Sequence, residues 1–268
     1  MSVTDTAFAG SIPGLYDRYL GPLLFQPYAQ EVARRAAELG ARHVLETAAG
    51  TGIATEALHR ALLEANIVAT DLNPAMLDMA AQRVNSDRVS FQPADALGLP
   101  FADGSFDLVV CQFGVMFFPD KIRGNAEARR VLCEGGTYLT VAWDTIGRNP
   151  ASKIAHDTVA SLYPDDPPSF LARTPFGYAD PEWLERDLRA AGFRKIGIDT
   201  VELASRPTSS LDAAIGLVAG CPLAAEIQER NAAGLQPAIE ATADALGALE
   251  KDGRLDSRLS AHIATATK

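Results

Sequence analysis

The sequence predicts an α/β protein built on a doubly wound, Rossmann-like parallel sheet. Two observations carry that prediction. Between residues 43 and 143, short apolar runs alternate with amphipathic stretches of helical length. One of those runs, Phe106 to Cys111, is apolar almost without interruption, as expected of a strand buried on both faces rather than one. Strands separated by helices of this length connect by right-handed crossovers, which makes their sheet parallel and covers it on both sides.

The elements follow in order. His43 to Glu46 is a first strand, followed by a turn of small residues and a helix from about Ile53 to Leu63. Ile67 to Thr70 is a second strand that ends at Asp71. Asn73-Pro74 then opens a helix, with Asn as the N-cap and Pro at the first helical position. Val89 to Phe91 and Phe106 to Cys111 are the third and fourth strands. A helix over 119–132 is expected to stop at Gly135-Gly136, and Thr137 to Trp143 is the fifth strand. Further on, Asp180-Pro181 caps a helix through Ala191, Gly192 ends it, and Phe193 to Ala204 is another strand. Ser260 to Thr267 makes a last one.

Two segments stand outside this alternation. Residues 145–179 are rich in proline and read as a loop with short helices. Residues 207–254 are Ala-rich and helical, with Ile239, Ala243, Leu246 and Leu249 on one face. Residues 1–42, with Tyr16, Tyr19, Phe25 and Tyr28, are expected to form two helices leaning on the sheet. With no repeat and no flexible linker, residues 1–268 are expected to be one domain. It would have an N-terminal helical cap (1–42), a core (43–143) and insertions at 145–179 and 207–254 that cover a pocket.

A chain of 268 residues buries one large core. Its 24 Lys and Arg against 34 Asp and Glu give −10 at pH 7, which argues against a nucleic-acid partner. Arg34-Arg35 and Arg129-Arg130 are isolated pairs on helix faces. Cys111, Cys133 and Cys221 form no C-x-x-C, so neither a disulfide framework nor a metal site is expected, and a reducing compartment suits them. Met1 to Gly10 lacks the basic and apolar runs of a signal peptide, and Ala213 to Ala225 is too short to span a bilayer. These features predict a cytoplasmic protein with no membrane partner.

The chemistry is carried by Glu46-Thr47-Ala48-Ala49-Gly50-Thr51-Gly52, the turn between the first strand and the first helix. Small residues there let backbone approach a ligand, and the helix that follows offers unpaired N–H groups. Asp71, at the end of the next strand, stands where a carboxylate accepts both hydroxyls of a ribose. It also has a plainer reading, as a cap for the Asn73-Pro74 turn. Glu46 stands where a dinucleotide site would place a diphosphate, an unfavourable neighbour for a carboxylate; an ammonium group is a favourable one. Ala94-Asp95-Ala96, after the third strand, offers a carboxylate and a backbone N–H to an adenine edge. A ligand with a ribose, an adenine and an amine but no phosphate fits S-adenosylmethionine, and NAD does not.

VLETAAGTG, ATDLNPAML, PADALGLPFADGSFDLVVCQFGVMFFPD and GGTYLTVAW together resemble the class I S-adenosylmethionine-dependent methyltransferases. The likeness is closest to the small-molecule group related to the ubiquinone and menaquinone biosynthesis C-methyltransferases. It implies a seven-stranded sheet of order 3-2-1-4-5-7-6 with strand seven antiparallel. It further implies that Glu46, Ala48 and Gly50 line the methionine end of the cofactor and that Gly52, which closes their turn, is a cofactor-binding residue with them. Asp71 would hold the ribose, Leu72 and Met76 pack on the adenine, Asp95 and Ala96 read its edge, and Gln112 sit beside the sulfonium. The family usually has Gly where this chain has Ala48; the added methyl costs little at negative φ and about 1 kcal/mol or more at positive φ.

The expected activity is methyl transfer to a small organic acceptor by in-line displacement, leaving S-adenosylhomocysteine. A non-catalytic cofactor-binding protein and an NAD(P)-dependent oxidoreductase are the alternatives. Candidate bases are Asp144 and His156, with Tyr16 and Tyr19 as residues that close over the cofactor. Each has a structural reading beside the catalytic one: a cap for Asp144, a helix surface for His156 and core packing for the tyrosines. His43 and His262 are expected to be core or edge residues. Phe113, Met116 and Phe117 either line the acceptor pocket or pack the next helix.

Overall fold

The computed structural model describes Gly10, residues 12–205 and residues 208–268. Apart from Gly10, the N-terminal segment read for a signal peptide lies outside the described residues, as does the first residue of the segment 207–254.

Seven strands, numbered here within their sheet, are β1 (His43–Thr47), β2 (Asn66–Asp71), β3 (Val89–Pro93), β4 (Phe106–Gln112), β5 (Leu132–Trp143), β6 (Lys195–Ala204) and β7 (Arg258–Thr267). Their order is 3-2-1-4-5-7-6, as expected. β3, β2, β1, β4 and β5 pair in parallel, and β7 runs antiparallel to β5. Val44 and Leu45 of β1, Leu108 to Cys111 of β4 and Tyr138 to Trp143 of β5 are all buried, as strands covered on both faces must be. A two-stranded hairpin, Glu250–Lys251 with Arg254–Leu255, stands apart from this sheet.

The caps hold as expected. Asn73 accepts from the Ala75 N–H at the start of helix Pro74–Arg83, and Asp180 accepts from the Glu182 N–H at the start of Pro181–Ala190. Gly192, at φ +99°, ends the latter helix, and the Phe193 N–H reaches back to the Leu188 carbonyl. The Gly135-Gly136 expectation is corrected. Helix Lys121–Val131 stops without them, and β5 begins at Leu132. The two glycines lie inside β5 where its register against β4 jumps between Phe106 and Leu108. Gly135 takes φ +78°, and a Cβ on Gly136 would lie 2.9 Å from the Cys133 carbonyl oxygen. They make a bulge rather than a stop.

The described residues gather into two compact units. One comprises residues 28–143, 178–201 and 261–268 and contains most of the sheet. In it Tyr28 donates to the Val201 carbonyl at 2.7 Å, tying helix Gln26–Leu39 to β6.

The other unit takes in the described residues of 1–27, 144–177 and 202–260. The segment expected as loop and short helices contains a thirteen-residue helix, Pro150–Leu162. Pro150 occupies its first turn, where its missing N–H is not needed, so the proline begins the helix rather than breaking it. Two stretches here are π-helical. In Tyr16–Phe25, Pro22 interrupts the donor series and the Gln26 N–H bonds to the Gly21 carbonyl, five residues back. In Ile215–Ala219, the Gly220 N–H reaches the Ile215 carbonyl at 3.1 Å. The two stretches meet at Gly216, where a Cβ would stand 3.0 Å from Tyr19 Cβ and 3.1 Å from Leu20 Cδ2. Among the described residues no single helix is long and apolar enough to cross a membrane. Ser210–Ala219 and Leu223–Arg230 are apolar enough together but bend by 76°. Ala213, Leu217, Val218, Leu223 and Ile227 of that pair are buried, which marks them as core.

Candidate active site at the carboxyl edge of the sheet

The carboxyl ends of β1, β2 and β3 are joined through one residue. Asp71 closes β2 and accepts from the Gly50 N–H through Oδ2 and from the Asn73 N–H through Oδ1, both at 2.8 Å. Its own carbonyl accepts from the Ala94 N–H at 3.1 Å. The capping reading of Asp71 is therefore correct as structure, and it sets the height of all three turns. In the first turn Ala48 has φ +54°, Gly50 +55° and Gly52 +80°. Ala48 thus falls in the left-handed region, where its methyl is strained by about 1 kcal/mol or more. Gly52 serves packing: a Cβ on it would stand 2.8 Å from Ala80 Cβ and 2.9 Å from Ala80 Cα.

Glu46 is 1% exposed. Its Oε2 accepts from the Thr55 hydroxyl at 2.6 Å, one turn into helix Ile53–Ala61. Burial is the main cause that pushes its pKa up to about 8; the Thr55 hydroxyl opposes this and the neighbouring Asp71 charge adds to it. Burial also raises the Asp71 carboxyl, against the pull of the Asn73, Gly50 and Leu72 amides. Two carboxyl groups thus stand at one turn. Among the described residues, no cationic side chain is bonded to either.

Beyond Asp71, Leu72 is 67% exposed while Met76 is buried. The exposed Asp95 accepts from the Leu97 N–H at 2.9 Å, and its carbonyl takes the Gly98 N–H, so Asp95 and the half-buried Ala96 lie in a tight turn. Gln112 ends β4, half-buried.

Residues 45–140 match the protein family described as a methyltransferase domain. The demethylmenaquinone methyltransferase of Deinococcus radiodurans is 31% identical over 195 residues, covering 67% of this chain and 79% of that relative. The chain belongs to the S-adenosylmethionine-dependent methyltransferases. Among solved structures, the YcgJ protein of Bacillus subtilis matches with a TM-score of 0.59 at 18% identity, over 90% of this chain and 98% of that one. Phosphoethanolamine N-methyltransferase 2 of Haemonchus contortus, solved with S-adenosyl-L-methionine, matches with a TM-score of 0.62 at 16% identity, over 100% of this chain and 60% of that one. Both likenesses are of fold.

The remaining candidates of this methyltransferase lie on other elements. Asp144 accepts from the Ser260 hydroxyl at 2.8 Å and from the Thr145 N–H at 2.6 Å. With Asn149, which brackets the Ser260 backbone from both ends of its amide, it fastens the chain beyond β5. His156 lies half-buried on helix Pro150–Leu162, and Tyr16 stacks on Phe25 with centroids 4.9 Å apart. His43 is an exposed edge residue beside Asp107. His262 is a buried core residue of β7, its Nε2 bonded to the Ala179 carbonyl and its Nδ1 to the Thr200 hydroxyl. A ring nitrogen facing a carbonyl must donate, so Nε2 carries a hydrogen.

Two features of the site were missed from sequence. The first is Thr55, in the first turn of helix Ile53–Ala61, whose hydroxyl meets Glu46 across the turn that separates them. The second is the set of partners of Phe113, a residue the sequence offered as pocket lining or helix packing: it stacks on Trp143 at 3.9 Å and meets Tyr28 edge-on at 5.2 Å. Phe113 and Met116 are buried and Phe117 is half-buried.

Proposed function

We propose that this methyltransferase binds S-adenosylmethionine at the turn 46–52, with Asp71, Asp95 and Ala96, and methylates a small organic acceptor, leaving S-adenosylhomocysteine. The observation that carries this reading is the pair formed by the buried Glu46 and the half-buried Asp71. Two carboxyl groups to which no cationic side chain is bonded among the described residues suit a ligand that brings its own ammonium group and a ribose diol; they oppose a diphosphate. In this reading the Asp71 carboxylate accepts the ribose hydroxyls and Glu46 compensates the ammonium. Leu72 and Met76 give the adenine apolar contact, Asp95 and the Ala96 N–H read its edge, and Gln112 faces the reacting end.

The bound cofactor supplies a methyl group already activated on a sulfonium, so in-line transfer asks the protein mainly for alignment and exclusion of water. No base is assigned: the Asp144 carboxylate is engaged with Ser260 and Thr145. The relative from Deinococcus radiodurans is named for demethylmenaquinone, and Phe113, Met116 and Phe117 follow β4 directly. Both support an apolar, aromatic acceptor. Acceptor choice is assigned to residues 1–42, 145–179 and 207–254, which carry no cofactor motif. The net charge of −10 supports a small-molecule rather than a nucleic-acid partner, and the free thiols Cys111, Cys133 and Cys221 support a cytoplasmic setting.

Calorimetric titration with S-adenosylmethionine, S-adenosylhomocysteine and NADH tests the reading. Micromolar binding of the first two and none of the third is expected. Binding of NADH, or of none of the three, overturns it.

A further inference from the structure

Gly114 follows β4 with φ −100° and ψ −38°, a conformation open to any residue. Its missing side chain is therefore a matter of space. A Cβ there would stand 2.4 Å from Ala48 Cβ and 2.9 Å from Cys111 Sγ. Ala48 presents the opposite case. At φ +54° a glycine would be at ease, and alanine is held there at a cost. Between the turn after β1 and the turn after β4 there is room for one methyl group, and it sits on the residue that is strained by bearing it.

The β4 side of this contact is firm. Phe113 is itself at φ +56°, its N–H donates to the Val141 carbonyl at 3.0 Å, and its ring is packed against Trp143 and Tyr28. The β1 side leads straight to the carboxyl pair. Two residues past Ala48, the Gly50 N–H meets the Asp71 carboxylate.

We propose that Ala48 and Gly114 act as one positioning pair. The Ala48 methyl, seated on the bare α-carbon of Gly114, fixes the height of the turn after β1. Residue 114 thereby governs cofactor affinity without being one of the cofactor's assigned ligands. The inference rests on the assignment of that turn to S-adenosylmethionine.

The test is a cycle of four proteins: the natural chain, Gly114→Ala, Ala48→Gly and the double variant. Each is titrated calorimetrically with S-adenosylhomocysteine and melted. Gly114→Ala is expected to weaken binding by about tenfold or more, and the double variant to return to within about threefold of Ala48→Gly alone. Unchanged affinity in Gly114→Ala overturns the proposal. So does a folded double variant that binds as weakly as Gly114→Ala. If Gly114→Ala does not fold, the double variant decides: folding and binding uphold the pair, and a second failure to fold overturns it. Failure of the natural chain to bind S-adenosylhomocysteine removes the cofactor assignment instead. The melting midpoints then still test the pair, because additive shifts show that the two positions are uncoupled.

Discussion

At the scale of single residues, Glu46 makes the sharpest prediction. Its pKa of about 8 in the folded chain lies above its ordinary 4.5. The folded state therefore holds a proton that the unfolded state has released, so its contribution to stability is complete below about pH 4.5 and is lost as pH rises through about 8. Asp71, also raised, acts with the same sign. Denaturant unfolding at several pH values is expected to show stability falling across that window, and Glu46→Gln to flatten the slope. If the ligand's ammonium requires Glu46 ionised, binding expels a proton. Affinity for S-adenosylhomocysteine then rises between pH 6 and 7 by roughly tenfold, the limit for one proton, with proton release visible as buffer-dependent heat. Asp71→Ala is expected to weaken S-adenosylhomocysteine about tenfold, roughly 1.4 kcal/mol, for loss of the two ribose bonds. It also strands the Gly50 and Asn73 amides at a cost of about 1–3 kcal/mol each, so affinity is to be measured where near-UV circular dichroism shows the variant folded. The residue types of the candidate site were legible because a small-residue turn and a strand-end carboxylate are local signals. The double duty of Asp71 and the left-handed backbone of Ala48 were not, since both depend on a neighbouring turn.

At the scale of elements, the strands were legible where burial on both faces makes an unbroken apolar run, as in β4. Helix starts were legible at Asn73-Pro74 and Asp180-Pro181, where a side-chain acceptor precedes a proline. The bulge in β5 was not, because a glycine pair ends a helix or kinks a strand equally well until the partner strand is known. The π stretches were hidden for a related reason: the first holds Pro22, a local signal read equally well as a helix break, and the second holds Gly216, whose close packing against Tyr19 and Leu20 is a tertiary feature. That packing can be tested. A side chain at 216 has to displace Tyr19 and Leu20, so Gly216→Val is expected to cost about 1–3 kcal/mol through overpacking. In a chain of this size that is a fall of several degrees, at about 2–4 °C per kcal/mol, in the melting midpoint. Gly147, whose added Cβ would meet nothing within 4 Å, supplies the control, and Gly147→Ala is expected to leave the midpoint unchanged.

For the whole molecule, a ligand that binds only the folded chain raises its stability by mass action. S-adenosylhomocysteine at a hundred times its dissociation constant is expected to add about 2.7 kcal/mol, read as a higher melting midpoint, while NADH at equal concentration adds nothing. The order of the sheet has a further consequence. β7, made of residues 258–267, lies between β5 and β6, both of which precede it in the chain. While the polypeptide is being synthesised, the outer side of β5 therefore emerges long before the strand that will cover it. It is an apolar strand, Tyr138 to Trp143, presenting unpaired backbone to whatever is near. The nascent chain must be kept from closing that gap with β6, or with a strand from a neighbouring chain, until residues 258–267 leave the ribosome. The side of β5 at which pairing with a wrong strand has to be avoided is thus set by the chain order of three strands.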